Sequence, residues 1–226
     1  MNTLSNVNFR ADGDFSANAE SPSGITLGDC NTPAGVSVRY ARDPSKQWFV
    51  LRASYNRAQA AYDHITSLGI EAYYPVQHTL KLINGKKRHV LAPLLPNILF
   101  VYADADTVRQ IITGTATATH CLSYYYNHFK TDAGGSNPPL TVPYDDMMNF
   151  MLITAVNNEH IMLVDQTRCH YKSGDTVEVT DGAFVGCRGR VARVAGQQRV
   201  VVEIDGLCIV ATAYIPSAFI KQIRKI

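Results

Sequence analysis

The side chains that could do covalent or metal chemistry here are few, and their spacing does not favour it. Cysteines stand at 30, 121, 169, 187 and 208. Five is an odd number, the gaps are wide and no CxxC pair occurs. That speaks against a disulfide framework and against a structural zinc site; scattered thiols suit a reducing, cytoplasmic compartment. His120-Cys121 and Cys169-His170 are adjacent pairs. Neighbours on a strand point to opposite faces, so neither pair is set up as nucleophile and base, and a cysteine hydrolase ranks last among the readings. Asp145-Asp146 suits the positive end of a helix dipole better than an acid–base dyad. Gly182, Gly186 and Gly189 form no phosphate loop, because no helix follows whose N-terminus would hold the anion. The seven histidines are scattered without ligand spacing. The expectation is a protein without catalytic residues, metal or cofactor.

Cations offer more. Lys86, Lys87 and Arg88 follow Asn84-Gly85 directly, and Arg188, Arg190, Arg193 and Arg199 recur within "TDGAFVGCRGRVARVAGQQRVVVEIDG". Either cluster could meet phosphates, although charge at a loop tip is also ordinary solvated surface. A formal net charge of +2 is too mild to mark the whole chain as a nucleic-acid binder.

The elements that must position these residues follow from pattern. Residues 1–46 are rich in Ser, Asn, Gly and Asp without sustained periodicity, and read as a flexible tail with a short strand near 36–40. "WFVLRAS" from Trp48 is a strand. Asn56 is expected to cap a helix carrying Ala58, Ala61, Tyr62, Ile65 and Leu68 at helical spacing, ended by Gly69. Asn84-Gly85 predicts a tight hairpin, and "PNILFVY" a central strand. Asp104 and Asp106 open a second helix with Val108, Ile111 and Ile112 on one face. Pro143 opens a third, with Tyr144, Met147, Met148, Met151, Leu152 and Ala155 in one stripe, read as a helix packed on a sheet. From Lys172 only short strands separated by glycine turns are predicted, as in a small barrel; that segment holds eight basic and five acidic residues, a net of +3. No stretch is long and apolar enough to cross a bilayer, and no secretory signal is read at the N-terminus. With 46% hydrophobic and 18% charged residues, the expected class is α+β: a tail (1–46), a mostly antiparallel sheet flanked by three helices (47–156), a linker (157–171) and a β-barrel (172–226).

The stretch Gly174-Asp175, Val177–Val179, Gly182-Ala183-Phe184, Gly186 and Gly189, with Arg188 between the last two, resembles a KOW motif of NusG-type proteins. Upstream, "WFVLRA", "AYYPV", the basic hairpin, "PLLPNILFVY" and "VPYDDMMNFM" resemble the NusG N-terminal (NGN) domain. Pro96-Asn97-Ile98 is similar to the Pro-Asn-Tyr of the RfaH type, and "VATAYIPSAFI" with the long tail is most like the UpxY group, which regulates surface-polysaccharide operons. The resemblance implies a monomeric transcription elongation and antitermination factor. Its first domain would dock on the clamp helices of bacterial RNA polymerase through Leu95, Ile98 and Phe100, left exposed on a sheet face, with Arg52 at the rim. Lys86, Lys87 and Arg88 would face nucleic acid, including the non-template DNA strand. An SH3-like KOW barrel built on Gly182, Phe184, Gly186, Arg188 and Gly189 would serve as adaptor for a ribosomal protein or a termination factor. RfaH-type proteins often carry aromatics where Leu95 and Ile98 stand and a tyrosine where Arg52 stands, and their His-Thr-Thr aligns with Arg109-Gln110-Ile111. The alternative is a KOW-type RNA- or ribosome-binding protein in which the barrel dominates.

Overall fold

The structure is a computed structural model that describes residues 41–155, 161–164, 170–194 and 196–223. Its first sheet is antiparallel throughout. Strands β1 (Gln47–Ala53), β2 (Glu71–Tyr73), β5 (Ile98–Ala103) and β6 (Leu122–Tyr124) lie in the order β2-β5-β1-β6, and β7 (Thr141–Val142) pairs with the far end of β1. The central position expected for "PNILFVY" holds: β5 is buried along its whole length between β2 and β1. Period-2 alternation then assigns each side chain a face. Phe49, Leu51, Leu99 and Val101 form one cluster with Ala61, Tyr62 and Ile65 of helix α1 (Ala58–Ser67) and Val108 and Ile111 of helix α2 (Ala105–Thr113). Trp48, Val50, Ile98, Phe100 and Tyr102 belong to a second cluster with Met147, Phe150 and Met151 of helix α3 (Tyr144–Ala155).

Two local expectations resolve differently. Asp104 caps α2 as expected: its carboxylate accepts the Thr107 N–H at 2.8 Å and the Thr107 hydroxyl at 2.7 Å. Asn56 does not cap α1. Tyr55 and Asn56 both take positive φ, 59° and 55°, so the chain turns there and the helix starts after Arg57, with no side-chain cap. Asn tolerates that region better than most residues, which is the same property that suits it to turns.

A second sheet holds β8 (Met162–Val164), β9 (His170–Val179), β10 (Arg188–Val194), β11 (Gln197–Ile204), β12 (Cys208–Tyr214) and β13 (Ile220–Gln222), in the order β13-β9-β10-β11-β12-β8. Register shifts at Arg190/Ala192 and Arg199/Val201 bend it. Strand β8 falls inside the segment expected as a connector. Ala41–Lys46, read as tail, are tied to the first sheet: Arg42 pairs with Asp145, the Asp43 N–H donates to the Tyr102 hydroxyl at 2.8 Å and Lys46 reaches Glu71 at 2.8 Å. The short strand expected near 36–40 and Cys169 lie outside the described residues.

Helix α3 joins the two sheets. Phe150 and Ile153 are fully buried in addition to the methionines of its predicted stripe. The helix packs on β1 and also on β11 and β12, and one cluster runs from Trp48 and Phe100 through α3 to Val179, Val200 and Val210. A helix apolar nearly all round is covered on more than one side. Among the described residues no helix is long and apolar enough to cross a membrane.

Gly189 shows why the second sheet needs a glycine. A Cβ there would lie 2.5 Å from the Val201 carbonyl oxygen and 2.8 Å from Val200 Cγ1. The obstacle is backbone of the paired strand, which cannot swing aside. Gly189→Ala is therefore expected to destabilise by about 1–3 kcal/mol, the usual effect of overpacking, read as a lower urea midpoint with unchanged slope. A midpoint equal to that of the parent would contradict the packing described here.

Candidate functional site

The turn before β5 is built by Asn97, whose φ of 62° lets the chain reverse. The Ile98 N–H donates to the Leu95 carbonyl at 3.3 Å, and the Ala53 N–H to the Asn97 carbonyl at 2.8 Å. This sets Ile98 directly opposite Arg52 on β1. Arg52 is exposed, but the apolar residues beside it are not. Leu95 and Ile98 are each 7% exposed and Phe100 is fully buried. Phe100 lies 5.4 Å from the Phe150 ring and 6.5 Å from the Tyr73 ring, centroid to centroid. The Tyr73 and Thr154 hydroxyls are hydrogen-bonded to each other beside them. The expectation of an uncovered apolar face at Leu95, Ile98 and Phe100 is thus corrected, because α3 packs over the same face of β5 that alternation assigns to Ile98 and Phe100. What remains open is a rim: Arg52 with the edges of Leu95 and Ile98.

The glycine-rich turn takes the shape its residues imply. Gly182 and Gly186 have φ of 86° and 84°, Phe184 between them is 5% exposed and anchors the core, and the Gly186 N–H donates to the Val179 carbonyl at 2.8 Å. Arg188 follows, with Nε 3.1 Å from Glu178 Oε2 and its backbone N–H donating to Asn149 Oδ1 of α3 at 2.8 Å. The four arginines expected to meet phosphates do not share one setting: Arg193 is exposed and Arg199 is buried. Arg199 is 7% exposed, with Nη1 donating to the Thr212 carbonyl at 2.6 Å and Nη2 to Gln197 at 2.9 Å, so it is a structural residue. Arg190 lies 3.9 Å from Glu203.

The hairpin β3 (Val76–Ile83) and β4 (Lys86–Pro93) stands apart as a two-stranded arm. Asn84 and Gly85, with φ of 51° and 74°, make its turn as expected, and Lys86, Lys87 and Arg88 are exposed at its end.

Among the described residues, Cys187 and Cys208 are not activated thiols. Burial pushes the Cys187 and Cys208 thiols up to about 12, which keeps them protonated. Cys121 Sγ donates to the Ala118 carbonyl, while the neighbouring His120 ring sits on the Thr117 carbonyl. Among the described residues no three His, Cys, Asp or Glu side chains gather as a metal site.

Two features of the seam between α3 and the second sheet had no sequence signal, because they join residues distant in the chain. One is Asn149. The other is Asp146, which lines a cleft of about 340 Å³ together with Trp48, Tyr102, Asn127 and Asp205. Burial, then the charges of Asp205 and Asp145, hold the Asp146 carboxyl above its ordinary value.

Residues 46–151 match the model of the NusG family, described as "Transcription termination factor nusG", so this segment is similar to that family's domain. Among solved structures, a chain titled "Domain interaction in Thermotoga maritima NusG" is similar at 14% identity and a TM-score of 0.38, covering 79% of this chain and 98% of that one.

A raised carboxylate pKa means that the ionised form is disfavoured in the fold. The penalty is present above the carboxylate range and is lost as pH falls through it. Asp205→Asn removes the like charge facing Asp146. It is expected to raise the urea midpoint slightly at neutral pH, with the difference from the parent vanishing as pH drops below the carboxylate range. A difference that persists or grows at low pH would exclude like-charge repulsion as the cause.

Proposed function

We propose that this chain is a NusG-type transcription elongation and antitermination factor that binds bacterial RNA polymerase at its clamp helices. The observation that carries the reading is the family match over residues 46–151. The glycine turn at 182–189, followed by short antiparallel strands, is consistent with a KOW-type second domain. The similarity of Pro96-Asn97-Ile98 and of "VATAYIPSAFI" to the RfaH and UpxY types favours a specialised paralogue acting on surface-polysaccharide operons.

In this reading Arg52 is the contact that a partner meets first, with Leu95 and Ile98 beside it and Phe100 supporting them from beneath. An exposed cation next to the edges of two aliphatic side chains suits an amphipathic helix with an acidic flank. The hairpin cations Lys86, Lys87 and Arg88 face nucleic acid, and the second domain is the adaptor. The alternative, an RNA- or ribosome-binding protein in which the KOW domain dominates, loses one of its cations in Arg199, which is buried against the Thr212 carbonyl.

Deleting the second sheet would bare α3, so the test uses the full chain. Purified bacterial core polymerase is expected to retain it, and Arg52→Glu is expected to weaken retention about tenfold with a shallower salt dependence, since salt no longer screens an attraction there. Arg52 is exposed, so the variant keeps its circular dichroism spectrum. Failure of the parent chain to bind polymerase would end this reading. Equal binding by Arg52→Glu would move the contact elsewhere.

A further inference from the structure

The β3–β4 arm has an organisation that a merely solvated hairpin does not need. Its register pairs Leu80 with His89, Leu82 with Lys87, and His78 with Leu91; on the other face it pairs Lys81 with Arg88, and Ile83 with Lys86. Residues directly opposite in an antiparallel pair share a face. One face therefore carries Leu80, Leu82 and Leu91, which are 54%, 71% and 48% exposed, together with Lys87 and His89, while Ile83 falls on the other. The opposite face carries Lys81, Arg88 and Lys86, all exposed. Like charges directly across a ladder are unfavourable, and residues 76–93 contain no Asp or Glu to offset them. Among the described residues Lys81, Lys86, Lys87 and Arg88 have no ion-pair partner. The arm thus presents open aliphatic surface and unneutralised cations together, at the end of a structure that covers neither.

We infer that the arm is a β-ribbon that lies in the major groove of duplex DNA, with Leu80, Leu82 and Leu91 toward the base edges and Lys81, Lys86 and Arg88 reaching the flanking phosphates. The dimensions agree: two strands lie about 4.8 Å apart, and the B-form major groove, about 12 Å wide, admits a two-stranded ribbon. That groove is about 8.5 Å deep, so the phosphate ridges rise beside the ribbon's outer face, within reach of long lysine and arginine stems. Aliphatic side chains meet thymine methyl groups there. Single strands fit less well, because their binding relies on aromatic platforms and residues 76–93 hold no Phe, Tyr or Trp. Double-stranded RNA fits less well because its major groove is deep and narrow. The same lack of Trp and Tyr disfavours a membrane interface.

The inference deepens the nucleic-acid role given to the hairpin above, and its test omits polymerase, so either reading can fail alone. Full-length protein is titrated against a short fluorescein-labelled DNA duplex, followed by anisotropy across a KCl series. The duplex is expected to bind more tightly than its separated strands or an RNA duplex of the same sequence. Lys81→Ala with Arg88→Ala is expected to reduce the log–log salt slope by about 2. Leu80→Ser with Leu82→Ser is expected to weaken binding about tenfold while leaving the slope unchanged. All four positions are exposed, so the variants keep the parent's spectrum and unfolding midpoint. Tighter binding to single strands or to RNA, insensitivity to either double variant, or binding to phosphatidylglycerol vesicles without binding to the duplex would each overturn it.

Discussion

Helix α3 is buried over most of its surface, with Asp145 and Asp146 exposed in its first turn, and most of the architecture follows from that. Met147, Phe150, Met151 and Ile153 are buried around its circumference, so it needs cover on more than one side. The first sheet supplies one cover through Tyr73 and Phe100, and the second sheet supplies another through β11 and β12. The two sheets therefore share one hydrophobic cluster. Ala41–Lys46 extend the arrangement by holding Asp145, at the start of α3, to the edge of the first sheet.

The two covers differ in chemistry. Against the first sheet, α3 interleaves aromatic rings whose centroids lie between 5.4 and 6.5 Å apart, the offset or edge-on range that adds to area burial. Against the second sheet it packs on aliphatic side chains such as Val200, Val202 and Val210, with a backbone bond to Asn149 and the like charges of Asp146 and Asp205 at the margin. An interface that holds like charges close gains less than one of the same size without them.

Much of this was legible in the sequence, and the parts that were not share a cause. Local chemistry read correctly: Asn84-Gly85 as a hairpin turn, Asp104 as the opening of a helix, and "PNILFVY" as a central strand. Each depends on neighbours a few residues away. What periodicity could not decide was how many partners an apolar surface has. The α3 stripe predicted one covered face, whereas Phe150 and Ile153 lie outside that stripe and are buried as well. The same gap explains Leu95, Ile98 and Phe100. Alternation places Ile98 and Phe100 on one face of β5, but only the path of the chain after Val142 shows that α3 covers it. Arg199 was misread for the mirror reason: a basic residue in a cation-rich stretch counts as surface until the neighbouring strand supplies a carbonyl.

The burial of the β5 face also limits how a partner could use it. Lifting α3 from the first sheet would expose Phe100, Met147, Phe150 and Met151 together. At roughly 1.5–3 kcal/mol per large apolar side chain, that approaches the whole stability of a typical domain, about 5–15 kcal/mol. A partner helix would have to replace every one of those contacts to make the exchange favourable. At the boundary between α3 and the second sheet, loss of the Asn149 bond would be partly offset by relief of the Asp146–Asp205 repulsion, but apolar contacts with β11 and β12 would be lost as well. A partner at the first sheet then meets Arg52 and the edges of Leu95 and Ile98, with Phe100 remaining the floor beneath them.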